Sequence, residues 1–396
     1  MRRSVRTTAP LIATLFATSL AFAQSPAPVS QLSTQSVQRF HDIANLIVRQ
    51  ANLKAGQAIV ISGSPDYLPV MEDLAIQATR AGAATIINLQ TAPLEAALRQ
   101  PTAGRYGYNA PTQLEKDLMS KADLWVAFPG PNDPRILPAL SPQQRLAVDS
   151  SVVAWRPYRN AQRTLVVNIP SERDTAGTGL TFAQLSTARW NAMQSDYTNM
   201  SQVGESIRNA LANGKSVRVT SPEGTDVSFS LQPNGVIVDA IPSLVNRNNR
   251  QPANFAVLPG GSVDAIIVES SANGKVRAPY DQCTLPVRDE AIDVNRGRAE
   301  NIHAGSDEAC VQKALTGLRL SALGIGLNPA LANVRSPAGL PLETGGEGLV
   351  SLYFGNNRNF GGNNTDGQVW YVPLAKASVS VDGKVIVRDG QFVNRR

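Results

Sequence analysis

Four apolar runs that do not alternate constrain this chain most. Ala58-Ile59-Val60-Ile61, Thr85 to Leu89, Asp123 to Phe128 and Arg163 to Ile169 are hydrophobic on neighbouring positions rather than on every second one. A strand apolar on both sides is covered on both sides, which favours a parallel sheet between helical layers. Helical spacing fills the intervals. Val37, Phe40, Ile43, Ala44, Ile47 and Val48 share one helical face with Gly56 as a stop, and Leu68 to Arg80 repeats the pattern before Gly82. Leu114 to Ser120 predicts a further helix. The strands end at Gly63-Ser64-Pro65 and Pro129-Gly130-Pro131, and carboxyl ends of such strands are where open α/β sheets hold ligands. No G-x-G-x-x-G follows the first run, which argues against a nicotinamide enzyme.

The pattern then changes. Phe182 to Met200 and Val203 to Ala212 predict two helical regions, the second closed by Asn213-Gly214. Ser216 to Thr220 and Val227 to Leu231 alternate across Pro222-Glu223-Gly224, which predicts an antiparallel hairpin. Strands dominate from there on, with one helix around Asp307 to Arg319. Ala377 to Val381 and Val385 to Val387 flank Asp382-Gly383, a pair suited to the tight primed turn. The expected fold class is α/β: a parallel-sheet α/β domain over residues 35–204, then a strand-rich α+β domain over 205–396. A chain of 396 residues with 42% hydrophobic residues suffices for two cores.

Arg2, Arg3 and Arg6 precede an apolar run from Pro10 to Ala21 and a small-x-small site at Ala21-Phe22-Ala23. This pattern predicts a signal peptide over residues 1–23 and a periplasmic or secreted protein. Residues 24–34 are a Ser/Pro/Gln tether expected to be disordered. Loss of the three arginines lowers the net charge from +6 to +3, which gives no reason to expect a nucleic-acid partner. No later segment has the length and apolarity of a membrane span. The two cysteines, Cys283 and Cys310, are expected to form a disulfide in an oxidising compartment.

Gly345 to Gly367, GGEGLVSLYFGNNRNFGGNNTDG, reads as a strand at Leu349 to Phe354, a shaped loop, and a second strand from Val369 to Val372. From residue 37 onward, the order of motifs resembles the metallo-aminopeptidases of the aminopeptidase T type. Pro259-Gly260-Gly261-Ser262-Val263 is similar to a motif that in the family carries a glutamate ligand, here Ser262. Ala322-Leu323-Gly324-Ile325-Gly326-Leu327-Asn328-Pro329 is similar to a second, with Ala322 at the glutamate position. Gly348 to Gly355 is similar to a third, with Ser351 at the histidine position. The family's closing His-x-Asp falls on Val369 and Tyr371. The resemblance implies an aminopeptidase-like fold and a homodimer. It also extends to iron-dependent, ring-cleaving dioxygenases of hydroxypyridines, whose ligands fall on Ser351, Val369 and Tyr371.

A hydrolytic metal centre needs carboxylate or imidazole donors and an open position for water. Ser262, Ala322, Ser351 and Val369 cannot supply them, so no metal and no cofactor are expected; a divalent metal belongs to the alternative reading. The two histidines, His41 and His303, read as a polar helix face and a loop. Asp264, Glu269, Glu343, Glu347 and Asp366 read as solvated loop carboxylates rather than an oxygen-only cation site. No G-x-S-x-G elbow offers a serine nucleophile. The expectation is an exported aminopeptidase-family protein without metal-dependent catalysis, binding a peptide or small organic ligand through Glu347, Arg358, Asn359, Asn363, Asn364, Asp366 and Trp370. An active hydrolase with rearranged ligands and a structural or assembly protein are the alternatives.

Overall fold

The computed structural model describes residues 34–98, 112–131, 136, 163–175, 178–242, 255–278, 290–305, 308–337, 339, 341–367 and 369–393. The expected signal peptide, all of the tether but residue 34, and Cys283 lie outside the described residues; no described cysteine is free.

The first layer follows the apolar runs closely. α1 (Thr34–Gln50) buries Ile43, Ala44, Leu46 and Ile47, and α2 (Leu68–Arg80) buries Val70, Met71, Leu74 and Ala78. Between them β1 (Ala58–Gly63) ends in a turn opened by Ser64, whose hydroxyl accepts the Asp66 N–H. β2 (Ala84–Leu89), α3 (Ala92–Leu98), α4 (Gln113–Lys121), β3 (Leu124–Ala127) and β4 (Arg163–Val167) follow. The strands pair in parallel in the order β2-β1-β3-β4. Ile59, Ile61, Leu124, Val126, Leu165 and Val167 line one face of the sheet and are buried. On the other face Val60 and Thr164 are buried, but Trp125, Ala127 and Val166 are partly exposed. The edge strand β2 exposes Ile86 and Leu89, so among the described residues the coverage expected on both sides is full on one. A fifth parallel strand, β8 (Phe255–Leu258), closes this sheet against β4, so its last member comes from well beyond residue 205.

The helical stretch after residue 181 breaks earlier than its spacing predicts. α5 (Phe182–Met193) ends before Asp196, whose carboxylate accepts the Asn199 N–H at 3.0 Å and starts α6 (Tyr197–Ala212). An acceptor at the N-cap satisfies an orphan donor of the new helix and favours a fresh start over continuation. At Gly204, α6 lies so close to the third sheet that a Cβ would stand 2.6 Å from Val238.

An eight-stranded antiparallel sheet is built from β5 (Val217–Thr220), β6 (Asp226–Phe229), β10 (Asn273–Ala278), β11 (Glu290–Asn295), β12 (Arg298–His303), β16 (Ser378–Val381), β17 (Lys384–Arg388) and β18 (Gln391–Phe392). The two predicted hairpins are there: Val217 lies opposite Phe229, and Val381 opposite Lys384. Asp382 and Gly383 have φ of +48° and +82°, the paired left-handed positions of a primed turn.

The third sheet has the order β15-β14-β13-β9-β7, antiparallel throughout: β7 (Leu231–Asp239), β9 (Ser262–Ile267), β13 (Leu320–Gly326), β14 (Val350–Phe354) and β15 (Trp370–Leu374). One face carries Val238, Val263, Ala265, Leu323, Ile325, Leu352, Phe354 and Val372 into the main apolar core. The other face is chemically different and holds the site. α7 (Glu308–Leu315) packs on β12. No helix among the described residues is long and apolar enough to cross a membrane.

Candidate functional site

Residues paired across antiparallel strands share a face, so the register alone assembles the polar side of the third sheet. One row runs Ser351, Gly324, Asp264, Ile237; the row on one side holds Tyr371, Tyr353, Ala322 and Ile266, and that on the other Gly326, Ser262 and Asp239. Ser262, Ala322, Ser351 and Tyr371 therefore converge on one surface, though Ser262 and Ala322 stand about four residues apart along it, roughly 13 Å at strand rise. Val369 immediately precedes β15.

This face is closed by hydroxyls and carboxyls. The Ser262 Oγ donates to Asp264 Oδ2 at 2.6 Å, and the Asp239 Oδ1 accepts the Val257 N–H at 2.6 Å. Burial pushes the Asp264 carboxyl up to about 6, against the Ser262 and Tyr353 hydroxyls that hold it down. Burial likewise lifts Asp239 to about 8, with the Val257 N–H opposing and the Asp264 charge adding to the rise. The Tyr353 hydroxyl interacts with both Asp264 and Ser351, and burial followed by the Asp264 charge holds its phenol well above the usual range. Asp264, expected in a solvated loop, is instead buried within β9, because the strand starts at Ser262 and runs to Ile267, which puts Asp264 on the same covered face as Ser262.

An aromatic lid completes the closure. The Tyr353 ring passes over Gly324, where a Cβ would meet its hydroxyl at 2.3 Å, stacks on Phe360 at 5.2 Å and meets the edge of Tyr371 at 5.0 Å. Phe360 ends the short 3-10 turn Arg358–Phe360, which also contains Asn359. Asn357 organises this loop from inside: its Oδ1 accepts the Asn364 N–H at 2.9 Å and its Nδ2 donates to Ser321 O at 3.2 Å. Much of the asparagine richness that reads as ligand recognition is thus spent on the loop's own backbone, as asparagine's turn chemistry allows. Asn328 of the Gly-x-Asn-Pro motif is structural in the same way, donating to Ala192 O and Gly260 O while accepting from Ser195.

Beyond the lid, the far end of the loop borders an open cleft of about 450 Å³ lined by Gln232, Glu269, Ser270, Arg296, Arg319 and Asn364 among others. Asn363 also lines it, and Asp366 enters through Arg319, whose Nη1 lies 3.0 Å from Asp366 Oδ2 and 3.6 Å from Glu269 Oε2. Burial raises the Glu269 carboxyl, opposed by Asn364 and then Arg319. Asn363, Asn364 and Asp366 are therefore brought together. The others are placed elsewhere. Trp370 is buried on the apolar side of the sheet, and Glu347 sits in the turn before β14, its N–H bonded to Asn328 O. Arg358 opens the 3-10 turn, and Glu343 is paired with Arg189 at 2.8 Å. Arg296, Arg319 and Tyr353 carried no sequence signal, because strand pairing rather than spacing brings them in.

A parallel α/β layer finished from the far half of the chain, with an antiparallel third sheet bearing one polar face, defines an aminopeptidase-T-like fold. Wild-type AmpT from Thermus thermophilus is similar with a TM-score of 0.61 and 17% identity, covering 90% of this chain and 99% of its own. The 2,5-dihydroxypyridine dioxygenase from Pseudomonas putida KT2440 is similar with a TM-score of 0.57 and 16% identity, over 94% of this chain and 99% of that one. No curated protein matches. The family model described as NicX: 2,5-dihydroxypyridine 5,6-dioxygenase matches residues 176–394, more than half of the chain, and the chain belongs to that family.

The metal that this resemblance implies does not fit the residues present. Among the described residues no three His, Cys, Asp or Glu side chains group in a way that could hold an ion. His41 is engaged with Asp73 at 3.1 Å on the helical layer, and His303 faces Glu308 on β12. The polar face offers hydroxyls and two buried carboxyls: Asp264 Oδ2 accepts from Ser262 and Asp239 Oδ1 from the Val257 N–H, while Asp264 Oδ1 and Ser351 Oγ are buried with no hydrogen-bond partner, and no imidazole stands beside them.

Proposed function

We propose that this chain is an exported, non-catalytic member of its family that binds a small organic or peptide ligand. The observation that carries the reading is the closure of the polar face: Tyr353 lies over Gly324 and against Phe360, while Ser262 and Asp264 bond to each other. A hydrolytic or oxygen-activating centre needs an open coordination position and a donor set that leaves it open. The leader-like residues 1–23 support export. Ligand binding then falls to the cleft at Glu269, Arg319 and Asn364.

Two measurements on the purified chain test this. Elemental analysis after incubation with iron, zinc, manganese and calcium is expected to find no stoichiometric ion, and 2,5-dihydroxypyridine and aminoacyl substrates are expected to remain unconsumed. About one ion per chain together with turnover of either substrate class would overturn the reading, in favour of an active enzyme with rearranged ligands.

A further inference from the structure

We propose that the polar face holds a pocket for a phenol ring which the chain fills with its own Tyr353 side chain, so that this site is inhibited from within. The pocket shares no residue with the cleft at Arg319, and it is filled whether or not that cleft binds a ligand.

Strand register makes the room. On β13, Ala322 lies opposite Tyr353 and Gly324 opposite Ser351, so two of the smallest residues stand where longer side chains would otherwise meet across the strands. Tyr353 leans into that space: its hydroxyl lies 2.3 Å from where a Cβ on Gly324 would be, and the residue is only 3% exposed. The ring is seated as a bound aromatic molecule would be, with Phe360 across its face at 5.2 Å and 20° and Tyr371 on its edge at 5.0 Å and 86°. Phe360 itself is half-buried, so that wall of the pocket borders solvent.

The closed end of the pocket suits a hydroxyl. Asp264 and Ser351 flank Gly324 in one row across β9, β13 and β14, and both are buried. The Tyr353 hydroxyl interacts with both, and beyond that contact Asp264 Oδ1 and Ser351 Oγ have no hydrogen-bond partner. A buried acceptor left without a donor is costly, so these two oxygens favour a ring that carries a hydroxyl over one that does not. Ser351 and Ala322, two of the positions where the resemblance expects metal ligands, border the ring. The space between them is therefore taken by a side chain as well as stripped of donors.

The test uses the full chain with p-cresol, which is the tyrosine side chain as a free molecule, and toluene, the same ring without the hydroxyl. Truncating a packed ring leaves a cavity that a molecule of its shape can enter. In isothermal titration Tyr353→Ala is expected to bind p-cresol, to bind toluene at least about tenfold more weakly, and the parent chain to bind neither. Adding Gly324→Ala to Tyr353→Ala puts a methyl where the hydroxyl lies and should abolish the preference for p-cresol. If Tyr353→Ala does not fold alone, dilution from urea into p-cresol should restore its circular dichroism, and dilution into toluene should not. Equal binding of the two rings, a parent chain that binds p-cresol as tightly as Tyr353→Ala, a preference that survives Gly324→Ala, or neither binding nor refolding in p-cresol would overturn the proposal. A bound ion with turnover in the parent chain would defeat the non-catalytic reading, whereas p-cresol that fails to tell Tyr353→Ala from the parent would defeat the present proposal alone.

Discussion

Asp264 and Asp239 sit on the same polar face with their carboxyls raised to about 6 and about 8, in both cases first by burial. An acid raised in this way holds its proton more tightly folded than unfolded. The stability it contributes is therefore full below its ordinary value of 3.8 and is lost as the pH rises through 6 for Asp264 and through 8 for Asp239. The melting temperature is expected to fall between about pH 4 and pH 8, most steeply below pH 6 where both acids contribute, and Asp264→Asn to remove its share of the fall below pH 6. Near pH 7.5 the amide should be more stable than the acid by on the order of 2–3 kcal/mol. Parallel pH profiles of the variant and the parent protein in thermal unfolding would sink this account. Asn357 makes the opposite case, because its bonds to Asn364 and Ser321 are buried and satisfied. Asn357→Ala should cost about 2–3 kcal/mol in urea unfolding and expose the 358–366 loop to limited proteolysis. Unchanged proteolysis would place the loop's order elsewhere.

Turns and caps decide whether elements form where the periodicity puts them. The Asp382-Gly383 turn was legible in the sequence, but its second role was not: the Asp382 carboxylate also accepts the Lys215 and Ser216 N–H groups at 3.1 and 2.9 Å, tying the hairpin to the start of β5. Asp382→Ala should therefore cost about 1–2 kcal/mol, more than a surface turn residue; a loss below about half a kcal/mol in equilibrium unfolding would reduce Asp382 to its turn role. The parallel strands were legible because Ile59, Val126 and Leu165 lie in continuous runs, and Ser262, Ala322, Ser351 and Tyr371 could be placed because their motifs survive in order. Asp196 hid the break between α5 and α6, since a side-chain acceptor leaves the apolar spacing unchanged. Arg296 and Arg319 were unreadable for a different reason. They come from separate strand ends, and only the packing of the β11–β12 turn on the Glu269–Ser271 turn makes them neighbours.

At the scale of the molecule, the connection that matters most is β8. It pairs in parallel with β4 in the first sheet, yet β7 before it and β9 after it both belong to the third. The chain thus leaves the third sheet, completes the first and returns, so the two layers are joined at both ends of a four-residue strand rather than by one linker. A fragment cut at residue 204 would keep α1 to α5 and β1 to β4 but leave β4 as an open edge, its unpaired N–H and C=O groups free to recruit another chain. Leu165 and Val167, fully buried in the whole protein, would lose β8 residues Ala256 and Leu258 beside them. Residues 35–204 alone should therefore aggregate or melt without cooperativity, while the whole chain unfolds in one transition by circular dichroism and by tryptophan fluorescence. A soluble, monomeric 35–204 fragment with a sharp melting transition would show that β8 is an accessory to the first sheet and that the polar face and its cleft fold independently of it.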